Sequence, residues 1–123
     1  MHAMGYTEYG STDGLQLKEV AKPTPRDNEV LIKVQAASVN ASDWHILKGD
    51  ARLMGYGLLR PKYPILGADI AGQVEAVGSN VKQFRPGDEV IGDLSACGLG
   101  GFAEYVCAPE SALVLKPANI TFE

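Results

Sequence analysis

Gly and Pro divide this sequence into short runs of strand-forming residues. Runs rich in Val, Ile and Ala, or alternating between apolar and polar side chains, are typical of β-strands. They fall at residues 15–20, 29–39, 70–77, 89–91, 102–108 and 113–115. Turn signals separate them, as in Arg85-Pro86-Gly87-Asp88, where Pro presets one turn dihedral and Gly supplies a positive φ. Short strands at this spacing predict a mainly β domain, either a barrel or a sandwich.

One run breaks this pattern and predicts a helix over residues 41–48. Asn40 can cap its start, Asp43 lies in its first turn and Gly49 can end it. The spacing places Trp44 and Leu47 on one face. Two turns are marginal in isolation, so packing against the rest of the domain must hold this helix.

Composition and charge exclude several classes of protein. At 123 residues the chain suits one domain, taken as residues 1–123. The net charge of -4 and the scattered basic residues argue against a nucleic-acid or membrane partner. No apolar run approaches a membrane span, and the start lacks the pattern of a secretory signal, so we expect a cytoplasmic protein. Cys97 and Cys107 are too few for a disulfide framework or a structural zinc site.

Several stretches, in order along the chain, resemble the N-terminal half of medium-chain dehydrogenases/reductases. They are EVLIKV (29–34), VNASDWH (39–45), PILGADIAG (64–72), VEAVG (74–78), PGDEVIG (86–92) and GGFAEYV (100–106). The resemblance implies a GroES-like distorted β-barrel with one or two short helices, which covers the active-site cleft. In that family a Rossmann domain from the later chain holds the cofactor. No G-x-G-x-x-G turn occurs here, so we expect that domain to lie outside this chain. Residues 119–123, with Thr121 as a cap, look like the approach to a further helix.

The motifs depart from the zinc-dependent branch of that family at the metal ligands. Asn40 stands where that branch has a zinc-binding Cys, and Gly67, Ala68 and Asp69 match its G-H-E, with Ala68 at the His. Asn is a poor zinc ligand and Ala is none, so we expect no zinc and no other metal site. The Val-Asn-x-x-Asp pattern resembles the quinone oxidoreductase branch, whose members move a hydride from NAD(P)H to quinones or α,β-unsaturated carbonyls.

This resemblance implies a set of candidate site residues. Asn40 would lie near both the nicotinamide and the substrate carbonyl, and Tyr56 or Tyr63 would line the substrate mouth. Trp44 is interpreted as core or as a wall of the cleft. Without a metal, neutral donors must stabilise the negative charge that develops on oxygen, which an Asn amide can do. Asn40 is explained equally well as a helix cap, and the two roles are compatible.

Ser42 and His45 are the remaining candidate catalytic residues. They match the positions that relay the alcohol proton in the zinc branch, and their spacing of one helical turn permits a relay. Because no metal-bound alkoxide is expected, a half-exposed histidine without a chemical role is the preferred interpretation of His45. For Asp43 we expect a structural role at the helix start. Residues 51–63 form a long connection for a small barrel, interpreted either as a surface loop or as a lid over a flat, lipophilic substrate.

The sequence therefore predicts the substrate side of an NADPH-dependent oxidoreductase, catalytically inactive without its own Rossmann domain. Its partners would be that domain and a small carbonyl or quinone substrate, and a homodimer stays open for the full-length protein. The alternative is a GroES-like barrel that acts as a non-catalytic binding or scaffolding module. The ordered dehydrogenase motifs favour the enzyme.

Overall fold

The computed structural model describes residues 1–50, 57, 59 and 61–123. The strands are β1 (His2–Gly5), β2 (Gln16–Glu19), β3 (Glu29–Ala37), β4 (Asp69–Val77), β5 (Glu89–Asp93), β6 (Tyr105–Pro109) and β7 (Leu113–Leu115). Helix α1 (Ala41–Lys48) joins β3 to the region before β4, and 3-10 turns cover Thr12–Gly14 and Glu110–Ala112. The predicted mainly β architecture is confirmed. No described helix is long and apolar enough to cross a membrane.

The strands form one large antiparallel sheet and one small hairpin. The large sheet has the order β6-β3-β4-β5-β7, while β1 and β2 pair with each other. Isolated bridges from Ala3 to Ala103 and from Gly5 to Ile65 attach the hairpin to the rest of the domain. Within the described residues the edge strands β6 and β7 share no ladder, so the sheet does not close into a complete barrel.

Two irregularities interrupt the pairing of β3 with β4. Between Leu31 and Ile32 the extra residue belongs to β4, and between Val34 and Ala36 it is Gln35 of β3. Such bulges bend a strand and increase its twist, and they often occur beside functional sites. The second one directly precedes the segment that leads into α1.

The apolar side chains form two clusters, and the second explains how α1 is held. The first cluster takes side chains from all five strands of the large sheet and two from its loops: Val30, Ile32, Ile70, Val74, Phe84, Val90, Leu94, Val106, Ala108 and Leu113. The second combines Ile46 and Leu47 of α1 with Tyr6, Leu66, Ala68 and Leu99. Burying an Ile or Leu side chain contributes about 1.5–3 kcal/mol, which is enough to hold two turns of helix.

The observed elements differ from the predicted ones mainly at strand ends. Strand β1 was not predicted, β4 begins one residue earlier than expected and β6 begins at Tyr105 rather than at 102. Helix α1 has the predicted bounds. Its Trp44, however, is 44% exposed while Leu47 is buried, so Trp44 is not a core residue.

Candidate functional site

The start of α1 is fixed by a carboxylate of its own first turn. Asn40 is the N-cap, with extended backbone (φ -116°, ψ 163°), and its backbone N–H donates to Asp43 Oδ2 at 2.9 Å. This contact satisfies one of the donors that a helix start leaves open. Asn40 and Asp43 have the spacing of a capping box, but the Asn40 side chain makes no hydrogen bond to the helix start.

The Asn40 side chain instead joins a polar cluster with Ser38 and Asp69. Its Nδ2 donates to Asp69 Oδ2 at 2.7 Å, and its Oδ1 accepts from Ser38 Oγ at 3.2 Å. Ser38 Oγ also lies 3.4 Å from Asp69 Oδ2. A carboxylate only accepts hydrogen bonds, so it selects the NH₂ end of the amide, and the hydroxyl takes the carbonyl end. We call these three residues the amide cluster.

Strand pairing brings the amide cluster together across a long separation in sequence. Asp69 opens β4, and the Ser38 N–H just beyond β3 donates to the Asp69 carbonyl at 3.1 Å. Asn40 follows two residues later and starts α1. The cluster therefore rests on backbone that the sheet and the helix hold from two sides.

A second tie connects the start of α1 to the turn before β4. Asp43 is only 3% exposed, and its Oδ1 accepts from the buried N–H of Gly67 at 3.2 Å. Gly67 has φ +106°, and a Cβ at this position would lie 2.7 Å from the backbone nitrogen of Phe102. A side chain is thus excluded from this turn, and the expected structural role of Asp43 agrees with its contacts.

A cleft of about 510 Å³ opens beside the amide cluster. Its walls are mostly apolar, and Ser38 and Asp69 are among its few polar groups. The lining residues are Ala36, Ala37, Ser38, Asp69, Ile70, Ala71, Ile91, Ile120, Thr121, Phe122 and Glu123. An apolar cleft with a few convergent polar groups is the usual form of a small-molecule site.

The predicted proton-relay residues do not form a pair in the structure. Ser42 is exposed in the first turn of α1. His45 Nδ1 lies 3.0 Å from Asp50 Oδ2, and Lys48 Nζ lies 3.5 Å from the same oxygen. The hydrogen bond with His45 is the main reason that the pKa of Asp50 is lowered. Asp50, which follows the left-handed Gly49, therefore ties His45 to the end of α1.

The aromatic residues predicted to contact the substrate lie in different surroundings. Trp44 faces solvent with Lys48 Nζ 5.2 Å from its ring centroid. Tyr63 is half-buried and packs on the second core cluster. Tyr56 lies outside the described residues, as does most of the predicted lid. Asn40 is the candidate whose hydrogen bonds reach two of the residues that line the cleft, Ser38 and Asp69.

Sequence reasoning missed Ser38 and Asp69 as partners of Asn40. In the sequence, Asp69 is notable only because it matches the third residue of the G-H-E motif. A polar residue at the end of one strand and another at the start of the next were a usable signal, because antiparallel neighbours place such ends side by side. Among the described residues, no group of three or more His, Cys, Asp or Glu side chains is placed to hold a metal ion.

Comparisons with known proteins agree with this architecture. The family model of the alcohol dehydrogenase GroES-like domain matches residues 26–118. A chloroplast envelope quinone oxidoreductase homolog of Arabidopsis thaliana is 43% identical over 122 residues, covering 98% of this chain and 36% of that protein. The NADPH-dependent alkenal/one oxidoreductase of the same plant, a chloroplastic protein, is 39% identical over 129 residues, covering 99% of this chain and 32% of that protein.

A solved structure shares the fold. The quinone oxidoreductase of Escherichia coli, complexed with NADPH, matches with a TM-score of 0.85 at 29% identity, over 99% of this chain and 35% of that one. This chain thus spans about a third of the length of the relatives it matches. The family match includes every strand from β3 to β7 and all three residues of the amide cluster. The chain therefore belongs to the alcohol dehydrogenase GroES-like domain family, within the medium-chain dehydrogenases/reductases.

Proposed function

We propose that the full-length protein is a zinc-independent, NADPH-dependent reductase that transfers a hydride to a quinone or an α,β-unsaturated carbonyl compound. In this proposal the domain described here forms the substrate side of the cleft. The observation that carries it is the amide cluster at an apolar cleft, with Asn40 at the position where the zinc-dependent branch has a Cys ligand. Relatives named quinone oxidoreductase and alkenal/one oxidoreductase support the substrate class.

The amide cluster suits the charge that such a reaction develops. Hydride addition to a quinone or an enone places negative charge on the carbonyl oxygen, which a preorganised donor stabilises. Asn40 Nδ2 carries two hydrogens, of which one is directed to Asp69. In this proposal the other hydrogen donates to the substrate oxygen, beside the apolar walls of the cleft.

The cofactor and the metal enter the proposal in different ways. NADPH supplies the hydride when bound, and a Rossmann domain outside this chain would hold most of it, with Asn40 near its nicotinamide. The proposal includes no zinc, because Asn40 is a poor zinc ligand and Ala68 is none. A cytoplasmic location also belongs to the proposal, although two plant relatives carry chloroplast names.

The wall and relay residues are secondary in this proposal. Trp44, Tyr56 and Tyr63 stay candidates for contact with the substrate. Ser42 and His45 stay candidates for proton delivery, and the contact of His45 with Asp50 supports the simpler interpretation that it stabilises the end of α1.

The test separates a catalytic amide from a helix cap. We expect Asn40→Ala in the full-length enzyme to lower kcat/KM by about ten- to a thousand-fold with NADPH and a simple quinone, as for losses of single oxyanion donors. It should also lower stability, because the side-chain hydrogen bonds of Asn40 to Ser38 and Asp69 are lost. Asn40→Ser is the matched control, because Ser caps a helix start but has no amide.

We expect Asn40→Ser to keep more stability than Asn40→Ala and to lose as much activity. If both variants keep the wild-type kcat/KM, Asn40 is only structural and the site assignment fails. If the wild-type protein oxidises NADPH with neither a quinone nor an enone, the non-catalytic binding module becomes the better interpretation.

A further inference from the structure

We infer that Asp69 is a positioning residue, which sets the direction of the Asn40 amide and thereby the rate of hydride transfer. The inference rests on the proposed function and adds a residue to it. Asp69 would not touch the reacting atoms itself. It would act through the 2.7 Å hydrogen bond that its Oδ2 accepts from Asn40 Nδ2.

The first argument concerns the orientation of the amide. An Asn side chain can rotate by half a turn and exchange its oxygen with its nitrogen at little steric cost. In the flipped state the carbonyl of Asn40 would face the Asp69 carboxylate, and two acceptors would repel each other. Ser38 Oγ, which donates to Oδ1 at 3.2 Å, favours the same orientation. Asp69 and Ser38 together therefore keep a donor, and not an acceptor, at the site of a developing oxyanion.

The second argument concerns the strength of that donor. A hydrogen bond from an amide to a carboxylate is charge-assisted and is about twice as strong as a neutral one. It restricts the side chain before the substrate arrives, so less reorganisation is needed during the reaction. The carboxylate is itself fixed, since Asp69 begins β4 and its carbonyl accepts from the Ser38 N–H at 3.1 Å.

The third argument is that this contact is not needed to hold the fold. Asp69 is exposed, whereas the buried Asp43 already ties α1 to the turn before β4. The Asn40 backbone is fixed by Asp43 as well, through its N–H. The Asp69 carboxylate instead contacts the other two members of the amide cluster, and its shorter hydrogen bond is the one from the Asn40 amide.

The experiment is a double-mutant cycle in the full-length enzyme, with NADPH and a simple quinone. We expect Asp69→Ala to lower kcat by about 10- to 100-fold, as expected for a misplaced group, with KM nearly unchanged. In the Asn40→Ala background the same substitution should cost no more than about twofold, because the amide through which Asp69 is inferred to act is absent there. Asp69→Asn keeps an acceptor of the same size and should show an intermediate loss.

Asp93 supplies the matched control. It lies directly opposite Asp69 in the pairing of β4 with β5, and its Oδ1 accepts from Ser95 Oγ at 2.6 Å rather than from Asn40. Asp93→Ala removes the same charge from the same face of the sheet. We expect it to leave kcat close to the wild-type value. Thermal unfolding of each variant verifies that the folded enzyme is being assayed.

The outcomes separate this inference from the proposed function. If Asn40→Ala is impaired while Asp69→Ala and Asp69→Asn match the wild type, only the positioning role is overturned. An equal loss from Asp69→Ala in both backgrounds, or an equal loss from Asp93→Ala, also overturns it, because the effect then bypasses the amide. If the wild type is inert, the proposed function fails, and if Asn40→Ala is fully active, the assignment of the site fails; this inference fails in both cases.

Discussion

Replacing Asp43 with Ala should destabilise this domain more than removing any exposed carboxylate. Its side chain accepts from the Asn40 N–H at 2.9 Å and from the Gly67 N–H at 3.2 Å. It therefore connects the start of α1 with the turn before β4, although the two segments are far apart in sequence. Both donors lose their acceptor in the Ala variant.

The magnitude follows from the surroundings of the two donors. The Gly67 N–H is buried, and leaving such a donor without an acceptor costs about 1–3 kcal/mol. The Asn40 N–H is half-buried and can turn to water, so its loss resembles that of a helix cap, about 1 kcal/mol. Together these give about 2–4 kcal/mol, a large share of the 5–15 kcal/mol typical of a domain. Asp43→Asn keeps one acceptor oxygen and should cost about half as much.

The assay is urea unfolding of the 123-residue chain, followed by circular dichroism. Asp50→Ala is the matched control, since it removes a carboxylate at the other end of α1 whose ion pairs are exposed to solvent. We expect the midpoint to fall in the order wild type, Asp50→Ala, Asp43→Asn, Asp43→Ala. Equal midpoints for Asp43→Ala and Asp50→Ala would refute the argument that the buried carboxylate joins the two segments.

Three further predictions concern metal, cofactor and pH. Metal analysis of the purified full-length protein should find no stoichiometric zinc, because Asn40 and Ala68 occupy the ligand positions, and one tightly held zinc per chain would overturn the assignment. The isolated chain should fold yet show no heat of binding when titrated with NADPH, whereas a micromolar dissociation constant (about -8 kcal/mol) would place a cofactor site within it. A hydrogen bond from Lys22 lowers the pKa of Glu75 from its usual 4.5, so the pair stabilises the fold above that pH and stops doing so as the pH falls through the lowered pKa. Glu75→Gln should therefore flatten the acid limb of a plot of urea midpoint against pH, and an unchanged limb would contradict this.

Local sequence signals were sufficient for the helix and for most of the large sheet. Helix α1 has a cap, a first-turn acid and a terminal Gly, and its observed bounds match the predicted ones. Strands β3 and β4 each have Val and Ile at spaced positions among other apolar residues, a pattern that is recognisable without their partners. Strand β1 was missed because His2–Gly5 has no strand-forming pattern, and it exists because β2 and the bridge to Ala103 pair with it.

The site was less predictable because, like strand β1, it depends on contacts between distant parts of the sequence. Asn40 was identified because a motif and a helix start coincide at one position in the sequence. Its contact with Asp69 depends on where β3 ends relative to β4, which is a tertiary property. The exposure of Trp44 was missed because helical spacing predicts which side chains share a face, but not which face is buried. In the structure the packing of Ile46 and Leu47 sets the buried face.

The bulge at Gln35 has a consequence for how this strand can change length during evolution or engineering. Because β3 advances two residues from Val34 to Ala36 while β4 advances one, Ser38 comes to lie opposite Asp69. Deleting Gln35 would make the ladder regular between Val34 and Ala36 and keep the pairing of Ser38 with Asp69, whereas deleting a residue between Ala36 and Asn40 would shift that pairing. A graft of the amide cluster onto another sheet can therefore omit Gln35, but it must keep the number of residues between Ala36 and Asn40.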